Sequence, residues 1–372
     1  MIDIRKGDFD AFFEAPFVAY GDDTLYVSPM RNDLQRFLSA DANPLFSSED
    51  EISFFTAHRD GRPVGRITAH VHAASNRLHK TRRACFGYFD CADDQEAANA
   101  LLSSAEDWAR RRGLGEIAGN FNLTAMQQAG VQTDGYEHAP YTDQIYNPPH
   151  LKRLLETAGY TAEFPMTTIE IDLTAADPDM LLGPRQRALL TSGDYAFASV
   201  NRRTLERRME DARTILNASF VDNPMFVPVT KEEFAFQANE MKTIIDPRIS
   251  VVLERKGEAI GAIIAIPDLN PLVRATGARL RLSTPWHYLK YRLTRSRAVI
   301  IFQGVLPEHQ GEGVNPLMLW HVATAMKKAG YKTVGGTWIA DVNKASLRQA
   351  EKAGARPLHR LHLYRKDLRH AG

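Results

Sequence analysis

The sequence predicts an α+β protein made of two copies of one domain, and three observations carry that expectation. A charged hairpin, His58-Arg59-Asp60-Gly61-Arg62-Pro63-Val64-Gly65-Arg66-Ile67, can be laid on Glu254-Arg255-Lys256-Gly257-Glu258-Ala259-Ile260-Gly261-Ala262-Ile263 at a shift of 196 residues. The same shift carries Asn147 onto Asn343, each leading into a helix-like run that ends in Gly. Between these anchors both halves read helix and then strand. A repeat this long means duplicated domains, because solenoid units recur every ~20–50 residues.

Composition agrees with that organisation. The 372 residues, 44% apolar and 24% charged, suit an ordinary folded chain of two domains. We place the first domain at residues 1–175, a linker at 176–194 and the second domain at 195–372. Cys85 and Cys91 are too few and too close for a disulfide scaffold or a metal site, which points to a reducing cytoplasm and no metal. The N-terminus lacks a signal-type apolar core, and no apolar run approaches the ~18 residues of a span. A cytoplasmic protein is expected, with any membrane contact peripheral and on the inner face.

Taken in order, Ile52 to Ala57 and the run after Gly65 flank a Gly-containing charged turn, as a hairpin requires. Asp94 to Arg112 reads as a helix closed by Gly113, a residue suited to the left-handed cap position, and Gly115 to Phe121 as the strand after it. Tyr146-Asn147-Pro148-Pro149 opens the next helix, with Pro suited to a first turn. The joining stretch carries Pro178, Gly183, Pro184 and Gly193, with a short packed turn at Met180-Leu181-Leu182. In the second half, Ser250 to Leu253 begins the matching hairpin, and Ala298 to Val305 is an apolar strand.

That strand delivers Val305-Leu306-Pro307-Glu308-His309-Gln310-Gly311-Glu312-Gly313-Val314-Asn315. Its glycines let backbone N–H groups approach phosphate oxygens, and the helix from about Asn315 to Ala329 turns its positive end to the same point. The strand Lys332 to Ile339 comes next. The first half has Phe89-Asp90-Cys91-Ala92-Asp93-Asp94-Gln95 at the matching place, and its three carboxylates would repel a pyrophosphate. One phosphate site per chain is expected.

This strand, turn and helix resemble the acyl-CoA-binding segment of the GCN5-related N-acetyltransferases (GNAT), with Gln310, Gly313 and Asn315 at its patterned positions. Asn315 departs from the usual small residue. A second segment, Asn343 to Gly354, is similar to the family's Asn-initiated helix. The resemblance implies two tandem GNAT-type domains, each a mixed, mostly antiparallel sheet flanked by helices, the first degenerate. It implies acyl-CoA as co-substrate, held by Val305, Leu306, Gln310, Gly311, Glu312, Gly313, Val314 and Asn315 together with Asn343 and Ser346. The family's usual Tyr proton donor falls at Ala350, leaving water or a displaced phenol, Tyr364 or Tyr331.

Acyl transfer to an amine needs the amine neutral and the thioester carbonyl polarised. Asp341, just after the strand, is the candidate base; the competing reading makes it a helix cap. His309 and Glu308 flank the cradle as groups that could contact water near the pantetheine, or as plain solvated loop residues. His70, His72 and His79 lie within ten residues, and a polar strand face explains them better than a metal, which needs further ligands.

The insert 267–297 is about twice as long as its first-half counterpart. From 269 to 307 there is no Asp or Glu, against seven Arg and Lys. Thr284-Pro285 reads as an N-cap and first turn, after which Trp286, Leu289 and Leu293 share a helix face. With Trp338 they are candidate substrate-binding residues, either as a lid over a lipid-sized cleft, as a helix on an anionic leaflet, or as a core-packed cover. Asn43-Pro44-Leu45-Phe46, Asp60 to Ile67, Tyr146-Asn147-Pro148-Pro149 and Trp338 to Asn343 also resemble a bacterial group that includes ceramide synthases, implying a lipid amine acceptor such as a sphingoid base. A small-molecule amine acceptor, a tRNA-dependent aminoacyl transferase and a non-catalytic acyl-CoA sensor are the alternatives. The short apolar-rich insert does not suit nucleic acid.

Overall fold

The computed structural model describes residues 1–22, 24–123, 128–221 and 226–369. In chain order the elements are β1 (Ile2–Lys6), α1 (Phe9–Tyr20), α2 (Arg31–Leu38), β2 (Ile52–Arg59), β3 (Arg62–His70), α3 (Ala73–His79), β4 (Arg83–Cys91), α4 (Gln95–Arg111), β5 (Glu116–Gly119), β6 (Val131–Asp134), α5 (His150–Thr157) and β7 (Thr161–Asp172). The chain continues through α6 (Pro184–Thr191), β8 (Tyr195–Ser199), α7 (Leu205–Ser219), α8 (Lys231–Ile244), β9 (Val251–Arg255), β10 (Glu258–Pro267), α9 (Asn270–Thr276) and α10 (Thr284–Thr294). It ends with β11 (Arg297–Val305), α11 (Val314–Lys328), β12 (Thr333–Ala340), α12 (Lys344–Lys352) and β13 (Ala355–Asp367).

Two compact units emerge, and they are interleaved in sequence. The first holds Met1–Thr167, Asn270–Tyr288 and His359–Gly372; the second holds Thr168–Leu269 and Leu289–Leu358. The division expected from the repeat cuts the chain once, between 175 and 195. In the structure the C-terminal strand instead completes the first unit's sheet, and part of the insert also belongs to that unit.

In the first unit β1 to β4 are antiparallel neighbours, β4 and β5 are parallel, and β13 pairs antiparallel with β5. Helix α4 forms because Asp94 caps it, accepting a hydrogen bond from the Ala97 N–H at 3.1 Å, and because Leu101, Ala105 and Trp108 recur on one buried face. These side chains join Ile67, Phe86, Ile117 and Tyr364 in the core.

The second unit repeats the plan: β8, β9, β10 and β11 are antiparallel neighbours and β11 runs parallel to β12. Alternation along the strands sends Leu253 and Ile263 to one face, packed with Leu317 and Met318 of α11. Val252, Ala262 and Ile264 go to the other, under Met209 and Ile215 of α7. The stretch expected as a linker forms a 3₁₀ turn, Pro178–Leu181, and then α6, with Leu181 and Leu182 buried in the α11 core.

Candidate active site

The cleft begins where two parallel strands stop pairing. Residues Arg297 to Ile300 of β11 pair with Thr333 to Gly336 of β12, and the remainder of each strand has no register partner in the other. A bulge in β11, where Ile264 and Ala265 oppose Phe302 and Ile300, leaves Ile301 as the extra residue at the divergence. Such a bulge bends the strand and re-aims the residues beyond it. The separated ends are Val305, leading into the cradle, and Ala340, with Asp341 next in the chain.

Gly311 and Gly313 have φ of +76° and +89°, backbone that only glycine adopts without strain. Gly313 is the N-cap of α11 and brings no side chain to its first turn, and Pro316 has no N–H to satisfy. The helix start is therefore left without a side-chain cap, the arrangement an anion can use. Val305 is buried and its carbonyl accepts from Gln310 Nε2 at 3.2 Å, which fixes the turn. The Leu306 N–H is bonded to the Ile260 carbonyl at 2.9 Å, so Leu306 contributes shape to the site through its place in the chain.

Helix α6 braces the cradle from its carbonyl side. Arg185 Nη1 donates to the Gly311 carbonyl at 2.7 Å and Gln186 Nε2 to the Gly313 carbonyl at 3.4 Å. Both lie in the stretch read from sequence as a linker, and no local motif marks them. His309 Nδ1 and Glu312 Oε2 are 3.0 Å apart, with Arg255 3.6 Å from the same oxygen. The hydrogen bond with His309 and the neighbouring Arg255 and Arg185 charges hold the Glu312 carboxyl below the usual range. His309 and Glu312 thus engage each other, while Glu308 is exposed beside them.

Asn315, the departure from the family pattern, links three elements. Gln303 Nε2 of β11 donates to Asn315 Oδ1 at 2.6 Å, and Asn315 Nδ2 donates to Gln349 Oε1 of α12. Gln349 Nε2 is buried and has no partner among the described residues. Sequence reasoning missed Gln303 and Gln349, since a lone amide on a strand or helix carries no motif.

Asp341 is half-buried in the turn between β12 and α12. The cap of α12 is Asn343, whose side chain accepts from the Ser346 N–H at 3.0 Å. Capping is therefore not the work of Asp341, and the side-chain oxygen of Asn343 is engaged at the helix end. Trp338 is half-buried on β12. Tyr364 is withdrawn as a proton donor: it lies in the first unit, fully buried, with its hydroxyl donating to Glu156 at 3.1 Å. The Tyr331 hydroxyl donates to Asp246 at 2.9 Å, and burial, then the Asp246 charge, pushes the phenol up.

Leu289 and Leu293 of α10 face outward, 51% and 80% exposed, and Trp286 is 69% exposed. A core-packed cover is thereby excluded. The helix begins one residue before the position expected, with Ser283 accepting from the Trp286 and His287 N–H groups.

In the first unit the equivalent cleft is filled by the chain itself. Strands β4 and β5 stop pairing after Phe86 and Gly119, but the Tyr88 N–H is taken by Asn122 Oδ1 at 2.7 Å and the Phe89 N–H by Asn120 Oδ1 at 3.2 Å. The cavity beside them has a volume of about 30 Å³, against the ~300–1,000 Å³ of a typical ligand pocket. Asp94 caps α4, and Asp90, Asp93 and Asp94 are each paired with an arginine: Arg66, Arg153 and Arg59. Among the described residues no group of His, Cys, Asp and Glu could hold a metal ion, and no helix is long and apolar enough to cross a membrane.

Residues 210–355 match the family model described as the acetyltransferase (GNAT) family. Those residues form a GNAT domain. A tandem GNAT protein from the clavulanic acid biosynthesis pathway superposes over 100% of both chains with a TM-score of 0.62 at 12% identity, and a GCN5-related N-acetyltransferase from Sphaerobacter thermophilus covers 99% and 96% with 0.56 at 15%. The tandem GNAT fold is thus established for the whole chain. In sequence the chain is 27% identical to the bacterial ceramide synthase of Caulobacter vibrioides, covering 96% of this chain and 94% of that one. It is 25% identical to Protein YghO of Escherichia coli over 98% and 94%. The GNAT domain at residues 210–355, in a family that uses acetyl- or acyl-CoA as co-substrate, supports an N-acyltransferase.

Proposed function

We propose that this GNAT protein transfers an acyl group from acyl-CoA to the primary amine of a lipid, favouring a sphingoid base and so forming a ceramide. The observation that carries the lipid acceptor is the 27% identity to a bacterial ceramide synthase along nearly the whole of both chains. The outward apolar face of α10 supports it, since a bilayer is where such an acceptor resides.

The pyrophosphate would sit on the N–H groups from Gly311 to Asn315, and the acyl-pantetheine arm between the separated ends of β11 and β12. The acceptor amine enters protonated, because a lone amine near its normal pKa is a cation at neutral pH. Asp341, at the end of β12, takes that proton through water. The nitrogen then attacks the thioester carbonyl and the C–N bond forms; as the C–S bond breaks, the surplus proton on that nitrogen passes through water to the departing thiolate, giving the amide and the free CoA thiol. The first unit serves as a scaffold, its own Asn120 and Asn122 occupying the cleft.

Purified protein supplied with a long-chain acyl-CoA and a sphingoid base in mixed micelles tests the reading by mass spectrometry. Ceramide formation in parallel with thiol release is expected. Transfer to water-soluble amines with none to the sphingoid base would replace the lipid acceptor by a small-molecule one, and lipid extracts from cells with and without the gene would then be unchanged in ceramide.

A further inference from the structure

We infer that the chain from Leu280 to Leu293 docks on an anionic lipid bilayer, a conclusion that rests on the lipid-acceptor reading for its purpose and on surface chemistry for its support. Six of the twelve large hydrophobic residues that lie exposed among the described residues fall in these fourteen positions. Leu280 is 66% exposed, Leu282 fully so, and Trp286, Leu289 and Leu293 come after them on α10. Scattered exposed apolar side chains need no explanation, whereas a cluster on one short segment marks a surface that meets something apolar. Within α10 itself Tyr291 is the buried residue, at 6%, so the helix is held by one side and presents the rest.

Charge selects the occupant. No Asp or Glu occurs from 269 to 307, so nothing on this segment repels phosphate. Arg279, Arg295 and Arg297 are paired with Glu14, Asp246 and Asp268. Arg281 and Lys290, exposed between the leucines, have no carboxylate partner among the described residues. Leucine and tryptophan side chains interleaved with such cations match the boundary of an anionic leaflet, where apolar groups enter the acyl region and each cation gains from the surface potential.

The test needs no substrate. Protein is sedimented with vesicles of phosphatidylcholine alone and with vesicles containing phosphatidylglycerol, and tryptophan emission is recorded in parallel. Binding to the anionic vesicles roughly tenfold stronger than to the neutral ones is expected, weakening with salt, with a blue shift that Trp286→Phe removes. Lys290→Glu should lower the anionic binding at least ~5-fold, the factor expected for one cation near such a surface, and Leu282→Ser should lower binding to both. Both positions are exposed, and unchanged melting temperatures confirm that the variants fold. Equal binding to the two vesicle types, or none, overturns the inference. So does a Leu282→Ser variant that binds vesicles normally but has a smaller mass by light scattering, which would identify a second copy of the chain as the occupant. Ceramide formation in micelles is scored separately: if it occurs without vesicle docking, the docking surface falls and the function stands, and docking without amide formation does the reverse.

Discussion

At the scale of single residues, Gly313 and Asp341 are constrained in different ways. A side chain at Gly313 meets a φ of +89°, which costs an L-residue about 1–2 kcal/mol, and it would turn aside Gln186 Nε2, which lies 2.6 Å from where a Cβ would stand and bonds the Gly313 carbonyl. Gly313→Val should therefore distort the turn and weaken acyl-CoA binding at least ~10-fold in calorimetric titration, while circular dichroism still reports a folded chain. Unchanged affinity in the folded variant would remove the phosphate assignment. Asp341 is not the cap of α12, which is Asn343. Asp341→Asn keeps the size and hydrogen-bonding capacity of the side chain but loses its basicity, and should lower kcat by ~100-fold or more, the range for a positioned base, in a variant that circular dichroism reports as folded. Near-normal turnover across pH 6 to 9 would place the base elsewhere.

Among elements, the consequential contacts join pieces that sequence separates. Asn315 bridges β11, α11 and α12 through Gln303 and Gln349. Asn315→Ala removes two hydrogen bonds, each worth about 1 kcal/mol, and leaves two amides of the bridge without that partner. A drop of several degrees in melting temperature is expected, with KM for acyl-CoA raised more than kcat is lowered, read from steady-state kinetics. The same tightening explains why a polar residue is tolerated where the family pattern has a small one: its side chain is directed to neighbouring amides. A second junction gathers Arg248, Arg295 and Tyr331 on Asp246. Burial would raise that carboxyl, but the hydrogen bonds from Arg248 and Tyr331 win and hold it at about 2.

For the whole molecule, the duplicated plan and its asymmetry make two predictions. One acyl-CoA should bind per chain, because Asn120 and Asn122 engage the amides at the first unit's strand divergence and Asp94 caps its helix. Titration giving a stoichiometry of two would overturn that asymmetry. Acid should destabilise the fold early. Burial, with the neighbouring histidine charges adding to it, holds His70 at about 3 and His72 at about 4, below the ordinary 6.5. The unfolded chain then binds more protons, so stability is complete above pH ~6.5 and falls as pH drops toward 4, by about 1.4 kcal/mol per pH unit for each histidine. Melting curves from pH 7 to 4 should show this slope, and His70→Asn should flatten it by about half. An unchanged slope would mean that other groups govern acid unfolding.

The sequence by itself determined the duplication, the hairpins, the strand that feeds Gly311 and Gly313, and the difference between that turn and the acidic one at residues 89–95. Those features are local: periodicity, glycine at positive φ and the order of strand, turn and helix are written in adjacent residues. Tertiary structure alone decided that α6 braces the cradle, that Tyr364 belongs to the first unit's core and that the compact units are interleaved. It also decided that Gln303, Asn315 and Gln349 meet, and that Trp286, Leu289 and Leu293 face outward. Each of those outcomes depends on packing between residues tens to hundreds of positions apart. An amphipathic stripe shows which side chains share a helix face, but whether that face is covered depends on the rest of the fold.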